Sequence, residues 1–299
     1  MYHGLIIVNQ EENYHVNDKI NRLLIEAKKL DIELRVAAND GTLVKIDENG
    51  QIVLESMGHS KYDFIIYLDK DYYAAKMLKE AGYTLFNDPE FLKMCDDKML
   101  TYIALTNNGI TMPKTYAAPL IYHEDSNVSY EFLTRVFNDF NGPVVVKRVY
   151  GSLGEGVFIA TDIEELNKIY KENYMHPLLF QEYIESSEGR SIRVIVIDNE
   201  IIGAIERYND KDFRSNFGKT ASSKPIELSK EYRDFVLKIT KVLDIKYAGI
   251  DLLYGENGPV LCEINSNAFF HEFEKTTGIN VAKLYLEMIL KNIRKEVSE

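Results

Sequence analysis

Along the first ninety or so residues the hydrophobic pattern switches between unbroken apolar runs and the three-to-four spacing of helices. Leu5–Val8 and Phe64–Leu68 are short apolar runs, and Glu33–Val36 and Thr84–Phe86 read as further strands. Between them, Ile20, Leu23, Leu24, Ala27 and Leu30 recur at helical spacing across Val16–Leu30, and a second helix is expected over Tyr72–Ala81, ending at Gly82. Leu43–Ile46 and Gln51–Leu54 flank Asp47-Glu48-Asn49-Gly50, a hairpin signal. Strands separated by helices predict a parallel sheet covered by helices. No Gly-x-Gly-x-x-Gly follows the first strand, so no dinucleotide site is expected there.

A new helical stretch starts at Asp88-Pro89, and another, Asp96–Asn107, is closed by Gly109. Then come the strand Lys114–Tyr116, a polar insertion (His123 to Ser129), a helix around Glu131–Asn138 and the apolar run Pro143–Lys147. From here strands meet at glycine-rich turns, which suggests antiparallel pairing; Val157–Ala160, the helix Asp162–Glu172 and Leu178–Tyr183 complete a small lobe. Ile192–Ile197 and Ile201–Arg207 flank Asp198-Asn199-Glu200, and a polar loop runs on to Pro225. A helix over Lys230–Leu243, a hairpin of Tyr247–Leu253 with Pro259–Ile264, and a final helix Ile279–Lys295 follow. The chain contains no internal repeat and no low-complexity tract.

Composition narrows the function classes. With 299 residues, 45% apolar and 27% charged, the chain can fill two ordinary domains or three small lobes. Its net charge of −12 disfavours a general nucleic-acid binder, which needs a basic face for phosphates, but leaves room for a local basic pocket. Cys95 and Cys262 belong to no metal or redox spacing and read as buried free thiols. The start lacks a basic segment before Leu5–Val8, and nothing approaches the ~20 apolar residues of a membrane span, so a cytoplasmic protein without a membrane partner is expected. A homo-oligomer is compatible with all of this.

Chemistry concentrates near the C-terminus. Asp251 lies inside Tyr247-Ala248-Gly249-Ile250-Asp251-Leu252-Leu253, and a carboxylate buried in such a strand is costly unless it meets a cation or several donors. On the partner strand Glu263 and Asn265 are two apart and share a face. One Asp, one Glu and an Asn amide oxygen suit magnesium; a hairpin whose polar face meets solvent is the alternative. Upstream, Val144-Val145-Val146-Lys147 runs into Gly151, Gly154 and Gly156, a loop whose bare amides can close over phosphates beside Lys147, or an ordinary flexible turn. Leu178-Leu179-Phe180-Gln181-Glu182-Tyr183-Ile184 can line an adenine slot, as can many edge strands. Arg193, Arg207 and Arg214 are candidates for clamping phosphate, against the alternative of solvated surface arginines. Gly218-Lys219-Thr220 imitates the end of a P-loop, but Phe213 stands where its first glycine would be.

In this order the segments resemble the ATP-grasp superfamily, and within it the RimK-type amino-acid (glutamate) ligases. The resemblance covers roughly Asp97 to Leu286 and includes Asp97-Lys98…Thr101, Pro143–Lys147, the Gly151–Gly156 loop with Ser152, Gln181-Glu182-Tyr183-Ile184 and Ile192-Arg193-Val194. It continues through Asp212-Phe213-Arg214-Ser215-Asn216, Gly249-Ile250-Asp251, Glu263-Ile264-Asn265 and Thr277-Gly278. It implies an α/β pre-grasp domain (1–92) and a two-lobed α+β ATP-grasp fold, its small lobe over 93–184 and its C-terminal lobe over 185–299. Lys98 and Lys147 then look like the phosphate lysines, Glu182 and Tyr183 like the adenine-contacting stretch, and Arg214, Ser215 and Asn216 like a second nucleotide segment. Asp251, Glu263 and Asn265 match the ligands of two magnesium ions, with manganese as an alternative. Three departures stand out. Ser191 replaces the usual Asp before Ile-Arg, which passes the ribose contact to a neighbour such as Glu188; Phe217–Ala221 replaces a His-Arg-Gly-Gly stretch; Ser266–His271 replaces Ser-Pro-Gly.

The implied reaction is attack of a substrate carboxylate on the γ-phosphorus of ATP, giving ADP and an acyl-phosphate that an amine opens, with Arg207 or Arg193 stabilising the oxyanion. The substrate would be a small amino acid, or a peptide or protein. A precursor-peptide side-chain cyclase of the same fold, a kinase, and a non-catalytic ATP-binding regulatory module are the rivals.

Overall fold

Strand β1 (Tyr2–Asn9) buries Leu5, Ile6 and Ile7, which is why its sequence runs apolar rather than alternating. The computed structural model describes residues 1–9, 14–54, 62–123, 129–151, 154–216 and 221–296. After β1 come α1 (Tyr14–Lys29), β2 (Ile32–Asn39), the hairpin β3 (Val44–Ile46) and β4 (Ile52–Leu54), β5 (Phe64–Tyr67), α2 (Tyr72–Glu80) and β6 (Leu85–Phe86). The first sheet has the order β2-β1-β5-β6, all parallel, as the strand–helix alternation predicts. Asp71 starts α2 by accepting from the amides of Tyr73 and Ala74.

Two short helices, α3 (Pro89–Asp96) and α4 (Lys98–Leu105), connect onward, capped by Asp88 and Asp97. Next are β7 (Thr115–Ala117), α5 (Tyr130–Phe140), β8 (Val144–Arg148), β9 (Val157–Ala160), α6 (Ile163–Asn173) and β10 (Leu178–Glu182). Their antiparallel sheet has the order β7-β10-β8-β9. One face packs Val144, Val146 and Phe180 against Leu133 and Val136 of α5 and Leu166 of α6. By strand alternation Val145, Lys147 and Gln181 leave on the other face.

The C-terminal part contains β11 (Arg190–Ile197), β12 (Glu200–Tyr208), β13 (Ser222–Ile226), α7 (Lys230–Leu243), β14 (Tyr247–Gly255), β15 (Gly258–Asn265), α8 (His271–Thr277) and α9 (Val281–Glu296). The order is β13-β12-β11-β14-β15, antiparallel throughout. Phe235, Val236 and Ile239 of α7 cover one face together with α4. The other face shares a core with α8, α9 and α1, so this sheet and the first are joined through Ile195, Tyr247, Phe273, Tyr285 and Leu23.

The α/β-then-α+β architecture agrees with the sequence expectation. Two elements differ: β13 and α8 fall where a loop was expected. Ser222–Ile226 has no apolar alternation and carries Pro225; it becomes an edge strand because β12 offers it a partner. Helix α8 buries little besides Phe273, too few positions to show a period. Most of the polar insertion, 124–128, lies outside the described residues.

Candidate active site

Cross-strand pairing assembles a polar face on the C-terminal sheet. Asp251 stands opposite Arg193 on one side and Glu263 on the other; Gly249 stands opposite Asn265, and Ser191 opposite Arg207. Asp251 is 2% exposed, and both its oxygens are held by arginine: Arg193 through Nε to Oδ1 and Nη2 to Oδ2 (2.6 Å), Arg207 through Nη2 to Oδ2 (2.8 Å). Burial would raise the Asp251 pKa, but the two guanidinium groups outweigh it and bring it to about 2. Glycine at 249 is required here: a Cβ would lie 2.7 Å from Ala268 Cβ and 3.0 Å from Arg193 Cδ, where the arginine now lies. The carboxylate stranded in an apolar strand therefore has cationic partners within the protein.

The facing wall brings together Lys98 of α4 and Lys147 of β8. Lys98, the first residue of α4, donates to the carbonyls of Val149 (3.3 Å) and Gly151 (3.0 Å), and burial lowers its pKa. Lys147 of β8 reaches to 3.9 Å from Cys262 Sγ; burial opposes its charge, but Cys262, Tyr102 and Glu263 more than compensate and its pKa is raised. Glu263 accepts from Asn265 Nδ2 at 3.2 Å. Arg214, paired with Asp212 (2.8 Å), donates to the carbonyls of Gly154 (3.0 Å) and Val157 (3.1 Å), tying the glycine loop to the opposite lobe. Between the walls lies an open cleft.

A sequence model described as a RimK-like ATP-grasp domain matches residues 95–289. The chain belongs to the RimK-like ATP-grasp family. It is 30% identical over 260 residues to an uncharacterised protein, MG012, of Mycoplasma genitalium, covering 84% of this chain and 88% of that one. It is 30% identical over 224 residues to a probable alpha-L-glutamate ligase of Vibrio vulnificus, covering 73% and 71%. Among solved structures, D-alanine–D-alanine ligase from Bacillus anthracis superposes with a TM-score of 0.75 at 18% identity over 99% of this chain and 98% of that one, a likeness of fold.

Most residues expected at an ATP-grasp site line the one cleft: Lys98, Lys147, Gly151, Gly154, Gln181, Glu182, Tyr183, Ile184, Ser191, Arg207, Arg214, Ser215, Asn216, Asp251 and Glu263. Four do not. Arg193 lies beneath the surface on Asp251; Asn265 donates to Glu263; Gly156 packs against the Arg148 side chain at the base of its loop. Glu188 is exposed, so the residue at the cleft there is Ser191, whose Oγ lies 2.6 Å from Ser215 Oγ and accepts from Arg207 Nη2 at 3.3 Å. Ser152 and Phe217–Thr220 lie outside the described residues. Glu182 turns its carboxylate to the Lys114 amide (2.7 Å), and its own amide donates to the Lys114 carbonyl (3.0 Å).

Sequence reasoning missed Pro113, Val145, Ser187, Arg190, Phe213, Leu253 and Cys262, which also line the cleft. Val145 and Leu253 were within reach, each two residues from a chosen residue on the same strand (Lys147, Asp251). Cys262 was not: alternation turns it away from Glu263, but the register shifts beside Asp251 and lets both reach the cleft. It is partly rather than fully buried. Of the aromatic residues after Asn265, Phe270 is fully buried in the shared core, and His271 pairs with Asp18 at 3.0 Å.

Proposed function

We propose that the chain is an ATP-dependent carboxylate–amine ligase that works through an acyl-phosphate and releases ADP and phosphate. The observation carrying this reading is the meeting, across one cleft, of two lysines, buried Lys98 and half-buried Lys147, with the face formed by Asp251, Glu263 and Arg207. The residues fit a nucleotide. Arg207 Nε, the Tyr183 hydroxyl and Gln181 Oε1 are buried in the cleft wall with no hydrogen-bond partner among the described residues, groups that a ligand would satisfy. The carboxylates Asp251 and Glu263 are outnumbered by Arg193, Arg207, Lys98 and Lys147, and this surplus of positive charge suits a triphosphate.

Asp251, Glu263 and the Asn265 amide oxygen would supply a hard oxygen set for magnesium, two ions with manganese as an alternative. Because the protein's own charge there is already positive, we expect the metal to enter with the nucleotide. When bound it would disperse charge over the β- and γ-phosphates. Lys98, Lys147 and the glycine loop, Ser152 included, would cradle the phosphates; Gln181–Ile184 the base; Ser191 the ribose; and Arg214, Ser215 and Asn216 the far side. Arg207 would face the oxyanion that forms as the amine attacks, with Arg193 holding Asp251 in place beneath it. Closure of the loop through Arg214 would keep water from the acyl-phosphate.

We take 1–92, 93–184 and 185–299 as the pre-grasp unit, small lobe and C-terminal lobe. The named ligase among the relatives makes an amino acid, glutamate first, the natural amine to try, on a small carboxylate or a peptide tail in the cytoplasm. Among the described residues no helix is long and apolar enough to cross a membrane. The test is a phosphate-release screen of carboxylate and amine pairs with mass spectrometry of products. ADP and phosphate appearing only when both partners are present supports the ligase; AMP with pyrophosphate, or a stable phosphorylated product, overturns it.

A further inference from the structure

Gln181, 1% exposed, is oriented by a hydrogen-bond chain that permits one direction. Thr115 stands opposite it on β7, and the Thr115 hydroxyl gives its hydrogen to the Pro113 carbonyl at 2.7 Å. Toward Gln181 the Thr115 oxygen can therefore only accept, and it takes a hydrogen from Gln181 Nε2 at 2.9 Å. That choice turns Oε1 the other way, where it has no hydrogen-bond partner among the described residues. The neighbouring Tyr102 hydroxyl cannot supply one, since its hydrogen goes to the Cys262 carbonyl at 2.5 Å. A buried amide oxygen held in this way is an acceptor that a ligand N–H or O–H must satisfy.

We propose that Thr115 is a positioning residue which, by locking the Gln181 amide, makes the cleft select a purine bearing an amino group at C6 over one bearing a carbonyl there. The inference rests on the nucleotide reading above. A 6-amino group donates to Oε1; a 6-oxo group brings a second acceptor against it in a dry site, and neither oxygen has a hydrogen to offer. Without the Thr115 hydroxyl Nε2 keeps only the Tyr102 oxygen as an acceptor, so the amide is held less firmly and can turn Nε2 toward the 6-oxo group as a donor.

The test is equilibrium binding of ATP and of inosine triphosphate, each with magnesium, to the full chain by calorimetry. Inosine triphosphate differs from ATP along the N1–C6 edge of the base. Wild type is expected to bind ATP at least ~100-fold more tightly, in line with sites built to pair a substrate N–H. Thr115→Val should bring that ratio below about 10-fold, Thr115→Ser should preserve it, and Gln181→Met should abolish it. A merely structural role for Thr115 would weaken both nucleotides together and leave the ratio alone. Equal affinity of wild type for both nucleotides, or an unchanged ratio in folded Thr115→Val, overturns the inference while leaving the ATP site standing. Binding of neither nucleotide overturns the site itself.

Discussion

Arg193 and Asp251 are direct cross-strand partners on β11 and β14, and the arginine grips the carboxylate through two nitrogens beneath the floor of the cleft. Arg207 adds a second guanidinium at 2.8 Å. Removing the carboxylate leaves two buried cations with no counter-charge. Asp251→Asn is therefore expected to cost about 3–5 kcal/mol of stability. Urea unfolding would measure it, and a loss below about 1 kcal/mol would mean that the arginines find other partners.

Glu263 carries no such structural duty, being half-buried with Asn265 Nδ2 beside it. Glu263→Gln should lower turnover by at least ~100-fold, the scale of losing one charge-stabilising group, and leave the melting temperature within a few degrees. Phosphate release and a thermal melt on the same preparation check both halves. Near-normal turnover would remove Glu263 from the metal set.

Away from the cleft floor, Glu206 is buried among Arg190 (2.5 Å), Lys224 (2.7 Å) and the Tyr254 hydroxyl (2.8 Å). Burial raises its pKa, but these partners prevail and lower it to about 2. With the folded value below the unfolded one, its stabilisation is complete above the unfolded pKa and is lost as pH falls from about 4.5 toward 2. Glu206→Gln should remove on the order of 2 kcal/mol at neutral pH and flatten that part of the acid-unfolding profile, followed by circular dichroism.

Lys19 presents the opposite sign. It is buried between the Tyr247 ring (4.7 Å) and the Phe270 ring (5.6 Å), donates to the Ala268 carbonyl at 3.2 Å, and burial lowers its pKa to about 7. Between that value and the ordinary 10.5, the unfolded chain binds the proton and the folded one does not. Folding is therefore penalised increasingly as pH falls from 10.5 to 7. Lys19→Met should stabilise the protein at pH 7 by on the order of 2 kcal/mol, a gain that shrinks as pH rises. Chemical denaturation at pH 7 and pH 10 distinguishes this from a loss at both, which would mean that the lost hydrogen bond and ring contacts outweigh the desolvation.

Much of this protein was legible from local pattern. Among the described residues, apolar runs and helical spacing located the strands of all four sheets except β13 and every α-helix except α8, because those elements bury enough positions to display a period. Lys147, Asp251 and Glu263 declared themselves by being charged within apolar strands whose partners follow in sequence.

What the chain alone determined was which residue types lie on which strand face, since side-chain direction follows from alternation. Tertiary structure decided what those faces meet. Arg193, a candidate for the cleft, is taken by Asp251 because β11 happens to pair with β14; Glu188 is left in solvent while Ser191 turns inward. Thr115 and Gln181, 66 residues apart, acquire their shared hydrogen bond only when β7 and β10 lie side by side. Such contacts depend on register between distant segments, which local periodicity does not encode.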